Sequence, residues 1–376
     1  MADNEIGKID ENMAYLPANG DGIAWHLPYE APMRLLGFNW FDKYHKYHRL
    51  PDELPDEVTQ YPNGVMTKVP KDKCGAFILS SNTAGGQVRF RTDSGSFHIK
   101  GKHSAISRMD HMPDTGRGGF DLYLKNDSGW RFFGVTRMQH SEYDFSAELA
   151  SNIPRVMRDV IINFPLYNGV SALAIGLDED AVIEAPTPFA DARPIVWYGT
   201  SIQQGGCASR PGMCSSNIVS RWMDRQVINL GFSGNGKGEP ELAEMLADVK
   251  DPGMYIIDYT WNVDDQALAA TLPNLLDIIR KKHPETPILL MGPTPGRCFY
   301  PEYGGGGIRA KNEIMRLEAC KRIKAGDAHF AYFDALNNSL GEDFCECTVD
   351  GVHLTDMGFY RLSQALCNFL KTTSIY

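Results

Sequence analysis

Two short stretches carry groups that could do chemistry together. Tyr198-Gly199-Thr200-Ser201 follows an apolar run, and Asp350-Gly351-Val352-His353 lies about 150 residues later. A serine hydroxyl is a poor nucleophile unless a neighbouring base takes its proton. That base works best when a third group fixes its tautomer. An Asp three residues before a His can do the fixing from the same short loop. The tetrapeptide D-x-x-H is common by chance, so its weight comes from what lies between the two ends.

Between them, Asn229-Leu230-Gly231-Phe232-Ser233-Gly234-Asn235-Gly236 supplies glycines that let backbone N–H groups point into a site. Asp258-Tyr259-Thr260-Trp261-Asn262 ends on an Asn whose side-chain N–H can meet a developing oxyanion. Each feature also has a plain reading: a helix-capping Ser201, a turn at Gly234, a loop-closing Asn262, a core Trp261. Arg210, beside Pro211-Gly212, either holds a substrate carboxylate or hydroxyl or pins its own loop to backbone carbonyls. Cys207 and Cys214 share that loop, where small buried residues are the commoner use.

These residues need elements to hold them, and the chain has two grammars. Up to about residue 190 it alternates with period two: Gln87–Arg91, Ser96–Lys100, Phe120–Leu124, Trp130–Val135, then 160–164 and 171–176. Such patterns, broken by Gly, Asn and Asp, predict half-buried antiparallel strands and a β-sandwich. Glu184-Ala185-Pro186-Thr187-Pro188 punctuates the chain. Beyond it, apolar strands at 194–199, 226–230, 254–258, 287–291 and 330–334 alternate with helical stripes, at 216–224 and from Leu268 to Ile279. Pro273 is expected to bend or restart the second helix. This grammar predicts an α/β half with a parallel sheet covered on both faces. Ligands gather at the C-terminal strand ends of such sheets, where every candidate falls. The division expected is 1–188 and 189–376. Gly304 to Gly307 reads as a short flexible loop.

Bulk properties exclude several classes. The 376 residues are 43% hydrophobic and 22% charged, with net charge −10. No Lys/Arg stripe points to nucleic acid. No apolar run suffices for membrane insertion. The acidic N-terminus is not a signal peptide, so the chain as it stands reads as cytoplasmic, or periplasmic or secreted if a leader was removed. Oligomeric state leaves no mark in the sequence. Seven of eight cysteines lie in the second half, as reduced, partly buried thiols. Cys345-Glu346-Cys347 with His353 lacks zinc spacing, so neither metal nor organic cofactor is expected.

The order Ser201, Gly234, Asn262, His353 after successive strands resembles the SGNH (GDSL-like) hydrolases over about residues 191–376. Tyr198-Gly199-Thr200-Ser201-Ile202, followed by 205–213, is similar to a subgroup with an N-terminal β domain. Gly119-Phe120-Asp121-Leu122-Tyr123 matches that domain's G-x-D-L-Y motif, and Leu166-Tyr167-Asn168-Gly169-Val170 fits it too. The resemblance implies a flavodoxin-like three-layer α/β/α domain behind a jelly-roll-like sandwich. It implies Ser201 as nucleophile, His353 as general base and acid, and Asp350 as its orienter. Ser201 N–H, Gly234 N–H and the Asn262 side chain would form the oxyanion hole, with Trp261 and Arg210 as substrate-binding candidates. Gly199-Thr200-Ser201 replaces G-D-S, Val263 replaces the Asp after Asn262, and Leu354 replaces a Pro after the His. These departures remove no catalytic group but argue against transferring lipase or thioesterase specificity. The reaction implied is hydrolysis of a small-molecule or carbohydrate ester through an acyl-serine, with acetyl on sugar first. Alternatives are a lipid or thioester acylhydrolase, an inactive carbohydrate-binding protein, or acyl transfer to an acceptor other than water.

Overall fold

The computed structural model describes residues 6–299 and 306–373. The chain partitions into two compact units. The first holds the chain up to His48, Ser81–Pro188 and Ser209–Gly212; the second holds Arg49–Ser80, Phe189–Ala208 and Met213 onward. The break at Pro188 coincides with the proline-rich punctuation; by contact, Arg49–Ser80 and Ser209–Gly212 each group with the unit on the other side of it.

The first unit is a β-sandwich. One antiparallel sheet has the order Ile23–His26, Gly169–Asp178, Phe97–Ala105, Asp144–Ala150. The other has Ile183–Glu184, Gln87–Thr92, Arg158–Asn163, Asp121–Asn126, Gly129–Val135, with Arg34–Leu36 also on Gln87–Thr92. Alternate residues of both sheets meet in one core, including Val88, Phe90, Phe97, Ile99, Phe120, Leu122, Val160 and Phe164. Each such side chain stabilises the sandwich by roughly 1.5–3 kcal/mol.

The second unit is a three-layer α/β/α domain. Its five parallel strands run in the order Arg225–Gly231, Asp191–Gly199, Met254–Asp258, Ile288–Met291, Phe330–Phe333. Numbered along the chain this is 2-1-3-4-5, the flavodoxin-like order, whose switch point flanks the first strand. Met254–Asp258 is buried throughout, as its continuous apolar run requires. The helices Ser215–Met223 and Asp356–Thr372 pack on each other. Pro240–Ala247, Asp265–Lys282 and Gly306–Lys324 pack in succession. Asp265–Lys282 continues through Pro273, so the helix does not restart there. The carbonyl of Pro273 instead accepts from Arg322, 3.0 Å away. Of the glycine run, 304 and 305 lie outside the described residues, and Gly306 already belongs to a helix. Among the described residues no helix is long and apolar enough to cross a membrane.

Register sets the site. Gly199 pairs with both Gly231 and Asp258, so three strands end at one level. Ser201, Gly234 and Asn262 therefore emerge at the same sheet edge, around the switch point.

Arg49–Ser80 joins this unit because its polar groups are satisfied there. Arg49 is fully buried, and its guanidinium donates to the carbonyls of Gly231, Asn229 and Leu79 while lying 4.6 Å from the Phe232 ring centre. Thr59 donates twice to Glu241, at 2.9 and 2.7 Å, and Lys68 pairs with the same carboxylate. A buried charge persists only where such partners exist.

Candidate active site

Thr200 caps the short helix Ser201–Gln204, and the Gln203 side chain reaches back to it in a capping box. Gly199 must be glycine: a Cβ there would lie 2.4 Å from Gln203 Oε1 and 2.6 Å from the Asp258 carbonyl. This turn sets Ser201, only 6% exposed, at the start of the helix.

Across from it, the loop carrying His353 is closed by the Val349 N–H donating to the His353 carbonyl, 2.8 Å. Asp350 divides its carboxylate. Oδ1 accepts the backbone N–H groups of Val352 and His353, at 3.0 and 2.8 Å, and Oδ2 meets His353 Nδ1 at 2.7 Å. The other ring nitrogen, Nε2, lies 2.9 Å from Ser201 Oγ. With Asp350 ionised, Nδ1 carries the proton and Nε2 accepts from the serine hydroxyl. Partial burial pushes the Asp350 carboxyl up, but the hydrogen bonds from His353 and Val352 outweigh it and bring it to about 2. Ser201, His353 and Asp350 thus form one hydrogen-bonded chain.

Gly234 sits in a tight turn closed by the Asn235 N–H donating to Phe232 O, 3.0 Å, with φ of +64°. Asn262 differs from expectation. Its amide nitrogen donates to the carbonyls of Phe232 (3.0 Å), Gly236 (3.3 Å) and Asn235. As built it fastens the turn that carries Gly234 instead of presenting a free donor. Trp261 is half-buried, with its ring against Gly296 and its Nε1 without a partner among the described residues.

Arg210 is committed within the first unit. Its guanidinium meets Asp121 at 3.1 Å and Tyr123, the Asp and Tyr of the G-x-D-L-Y motif, and lies 3.7 Å from the Phe132 ring centre. Asp121 also accepts the Gly212 N–H at 2.7 Å. The loop is therefore pinned, through a carboxylate and a phenol and not through backbone carbonyls, and the substrate-binding reading of Arg210 is corrected accordingly. Burial, with the Asp350 charge adding to it, pushes the Cys207 thiol up to about 12, so it is no thiolate. Cys214 is buried against Ser216. Cys345 faces solvent while Cys347 turns inward toward Arg361 and the Leu340 carbonyl, so the two do not form one ligand pair.

Sequence reasoning missed the layer beneath Ser201. Gln203 Oε1 accepts from Thr200 N and Oγ1, at 2.8 and 2.9 Å, and its Nε2 donates to Asp258 Oδ2 at 2.9 Å. Asp258 Oδ1 accepts from the Thr260 hydroxyl at 2.9 Å. One buried carboxylate therefore ties the Ser201 loop to the segment carrying Asn262. Full burial pushes that carboxyl up to about 7, against the lowering effect of hydrogen bonds from Thr260 and Gln203 and of the Lys311 charge. The Thr200/Gln203 spacing of a capping box was the available sequence signal. The buttress at Arg49 and Gly75, where a Cβ would collide with the Asn235 side chain, left none.

Comparison with known proteins agrees with this architecture. The profile of the GDSL-like lipase/acylhydrolase family matches residues 192–371, and that of the N-terminus of SGNH-hydrolase-type esterases, GxDLY, matches 23–183. No curated protein matches the chain. A solved structure described as a putative GDSL-like lipase from Bacteroides ovatus is 29% identical, with a TM-score of 0.78, over 93% of this chain and 98% of that one. A salicylyl-acyltransferase from a tetracycline biosynthetic pathway is 16% identical, TM-score 0.70, over 95% and 100%. A family two carbohydrate esterase from Clostridium thermocellum, in complex with cellohexaose, is 12% identical, TM-score 0.54, over 87% and 97%. The last two likenesses are of fold alone.

Proposed function

Since the chain belongs to the SGNH (GDSL-like) hydrolases with an N-terminal GxDLY domain, and so is an ester-hydrolysing enzyme, we propose that it is a serine esterase acting on short acyl groups, foremost acetyl on carbohydrate. The observation that carries the mechanism is His353, bonded to Ser201 on one nitrogen and Asp350 on the other.

In this reading His353 Nε2 takes the Ser201 proton as Oγ attacks the ester carbonyl. The carbonyl π electrons move to oxygen, and the oxyanion meets the Ser201 and Gly234 N–H groups, with Asn262 holding the Gly234 turn in place. First-turn helical N–H groups have no intrahelical acceptor, which leaves that of Ser201 available. Each such donor is worth on the order of 3 kcal/mol in the transition state. Collapse breaks the C–O bond, and His353 returns the proton to the leaving alcohol. Water, deprotonated by His353, then hydrolyses the acyl-serine. Asp350, held ionised, stabilises the imidazolium in both halves. The carbohydrate esterase named above shares this fold, which supports a sugar ester as the substrate class without fixing it.

The test is initial-rate hydrolysis of p-nitrophenyl acetate, butyrate and octanoate by the wild type and Ser201→Ala, with EDTA present. Rates should fall with chain length and vanish in the variant. Activity surviving in Ser201→Ala removes Ser201 as nucleophile; preference for octanoate removes the short-acyl assignment.

A further inference from the structure

The segment that crosses into the hydrolase unit does more than buttress it. The paired strands Glu57–Gln60 and Thr67–Pro70 are joined through a turn at Pro62–Gly64. The Asn63 N–H docks that turn on Asp264 Oδ2 at 3.1 Å. Asp264 Oδ1 at the same time caps the helix Asp265–Lys282 through the Ala267 N–H at 2.7 Å. Between turn and helix end lies a hollow of about 190 Å³. Tyr61 and Asn63 line one side; Lys237 and Asn262 line the other. Lys237 follows directly on the Gly234–Gly236 turn, so the hollow borders that turn and the Asn262 side chain that fastens it.

Its chemistry is specific. The Asp264 carboxylate is spent on two backbone N–H groups. The Lys237 ammonium and the Tyr61 hydroxyl make no hydrogen bond among the described residues, and the Lys237 charge acts at longer range on the buried Glu239 carboxyl. The hollow therefore offers two donors, and the nearby Glu239 carboxylate is already engaged by Tyr198, Gln60 and the Lys237 backbone N–H. The hollow's volume is below the usual range of about 300–1,000 Å³ for larger ligands. An acetyl methyl needs neither donors nor that much room, and a long acyl chain finds too little length, although Pro62, Val263 and Ala267 give the hollow one apolar flank. One polyhydroxylated ring fits both the size and the donors.

We propose that this hollow is the subsite for the alcohol half of the ester, a single sugar ring whose hydroxyl oxygens accept from Lys237 and Tyr61. The inference rests on the serine-esterase reading. It makes Lys237 and Tyr61 specificity-determining residues, Tyr61 on a segment that the sequence assigned to the other domain.

The experiment separates binding from turnover. An acetylated methyl glucoside is titrated calorimetrically into Ser201→Ala, then into Ser201→Ala carrying Lys237→Met or Tyr61→Phe. Each added substitution should weaken binding about fivefold, the range of one lost hydrogen bond. Lys73→Met, an exposed residue of the same segment away from the hollow, should not. With Ser201 intact, Lys237→Met should lower the ratio of kcat/KM on the glucoside ester to that on p-nitrophenyl acetate by a similar factor. Unchanged affinity in both variants, equal loss on both esters, or no binding to Ser201→Ala overturns the subsite. Turnover of the glucoside by Ser201→Ala would instead bring down the serine reading, with the binding series still reporting on the hollow.

Discussion

Asp350 lies in a half-exposed loop and accepts a ring N–H and two backbone N–H groups, which bring its carboxyl to about 2. Asp258, in the same unit, is fully buried and is held by an amide and a hydroxyl, with its carboxyl pushed up to about 7. One aspartate is held charged beside the His353 ring. The other ties two loops together, and its surroundings barely support its charge. Residue type is the same; solvent access and donor type decide the difference.

The largest effect expected from breaking this contrast is at Asp350. Asp350→Asn keeps the shape but favours the wrong His353 tautomer, so kcat on p-nitrophenyl acetate should fall by about 10⁴-fold, the scale of the corresponding change in a Ser-His-Asp protease. A fall of less than about tenfold would mean that Asp350 does not orient the base.

A polarity swap tests Asp258. Gln203→Glu sets two buried carboxylates against each other, and at pH 8, where they cannot readily share a proton, kcat should drop by about 100-fold. Asp258→Asn alone should be mild, because its amide can turn toward the Thr260 hydroxyl. Combining the two restores a donor–acceptor pair with its direction reversed, and most of the lost kcat should return. KM should change little throughout. A double variant no better than Gln203→Glu would show that the tie does not position Ser201.

The smallest effect is on stability, and it has opposite signs at the two sites. In an unfolded chain both aspartates ionise near 4. Folded Asp258 keeps its proton to about 7. Its contribution therefore falls as pH rises from about 4 to about 7 and is level above that. Folded Asp350 ionises at about 2, so its contribution is complete above about 4 and is lost as pH falls toward 2. Carbon-detected NMR of labelled aspartate should show one carboxyl titrating near 7 that disappears in Asp258→Asn. Its absence in the wild type would dissolve the contrast.

Much of this was legible in the chain. Period-two runs such as Gln87–Thr92 and buried runs such as Met254–Asp258 declare their sheets, because side-chain alternation and burial are local properties of a strand. Ser201, Gly234 and Asn262 were legible as residues at strand ends because each closely follows a strand. The helix does not restart at Pro273, because packing overrides a local preference when the other backbone bonds survive. The Asn262 amide could not be aimed from sequence, since its acceptors are carbonyls 26 to 30 residues away.

What the sequence determined by itself, then, is the alternation of elements and the identity of the reactive groups, for these depend on residue type and near neighbours. The tertiary structure alone decided that Arg49–Ser80 serves the hydrolase unit, that Arg210 belongs to Asp121 and Tyr123, and that Asp258 stands under Ser201. Each is a polar group satisfied by a partner tens of residues or more away. A polar side chain shows its chemistry in the sequence but not its partner, and burial leaves it stable only where the fold brings that partner within hydrogen-bond reach.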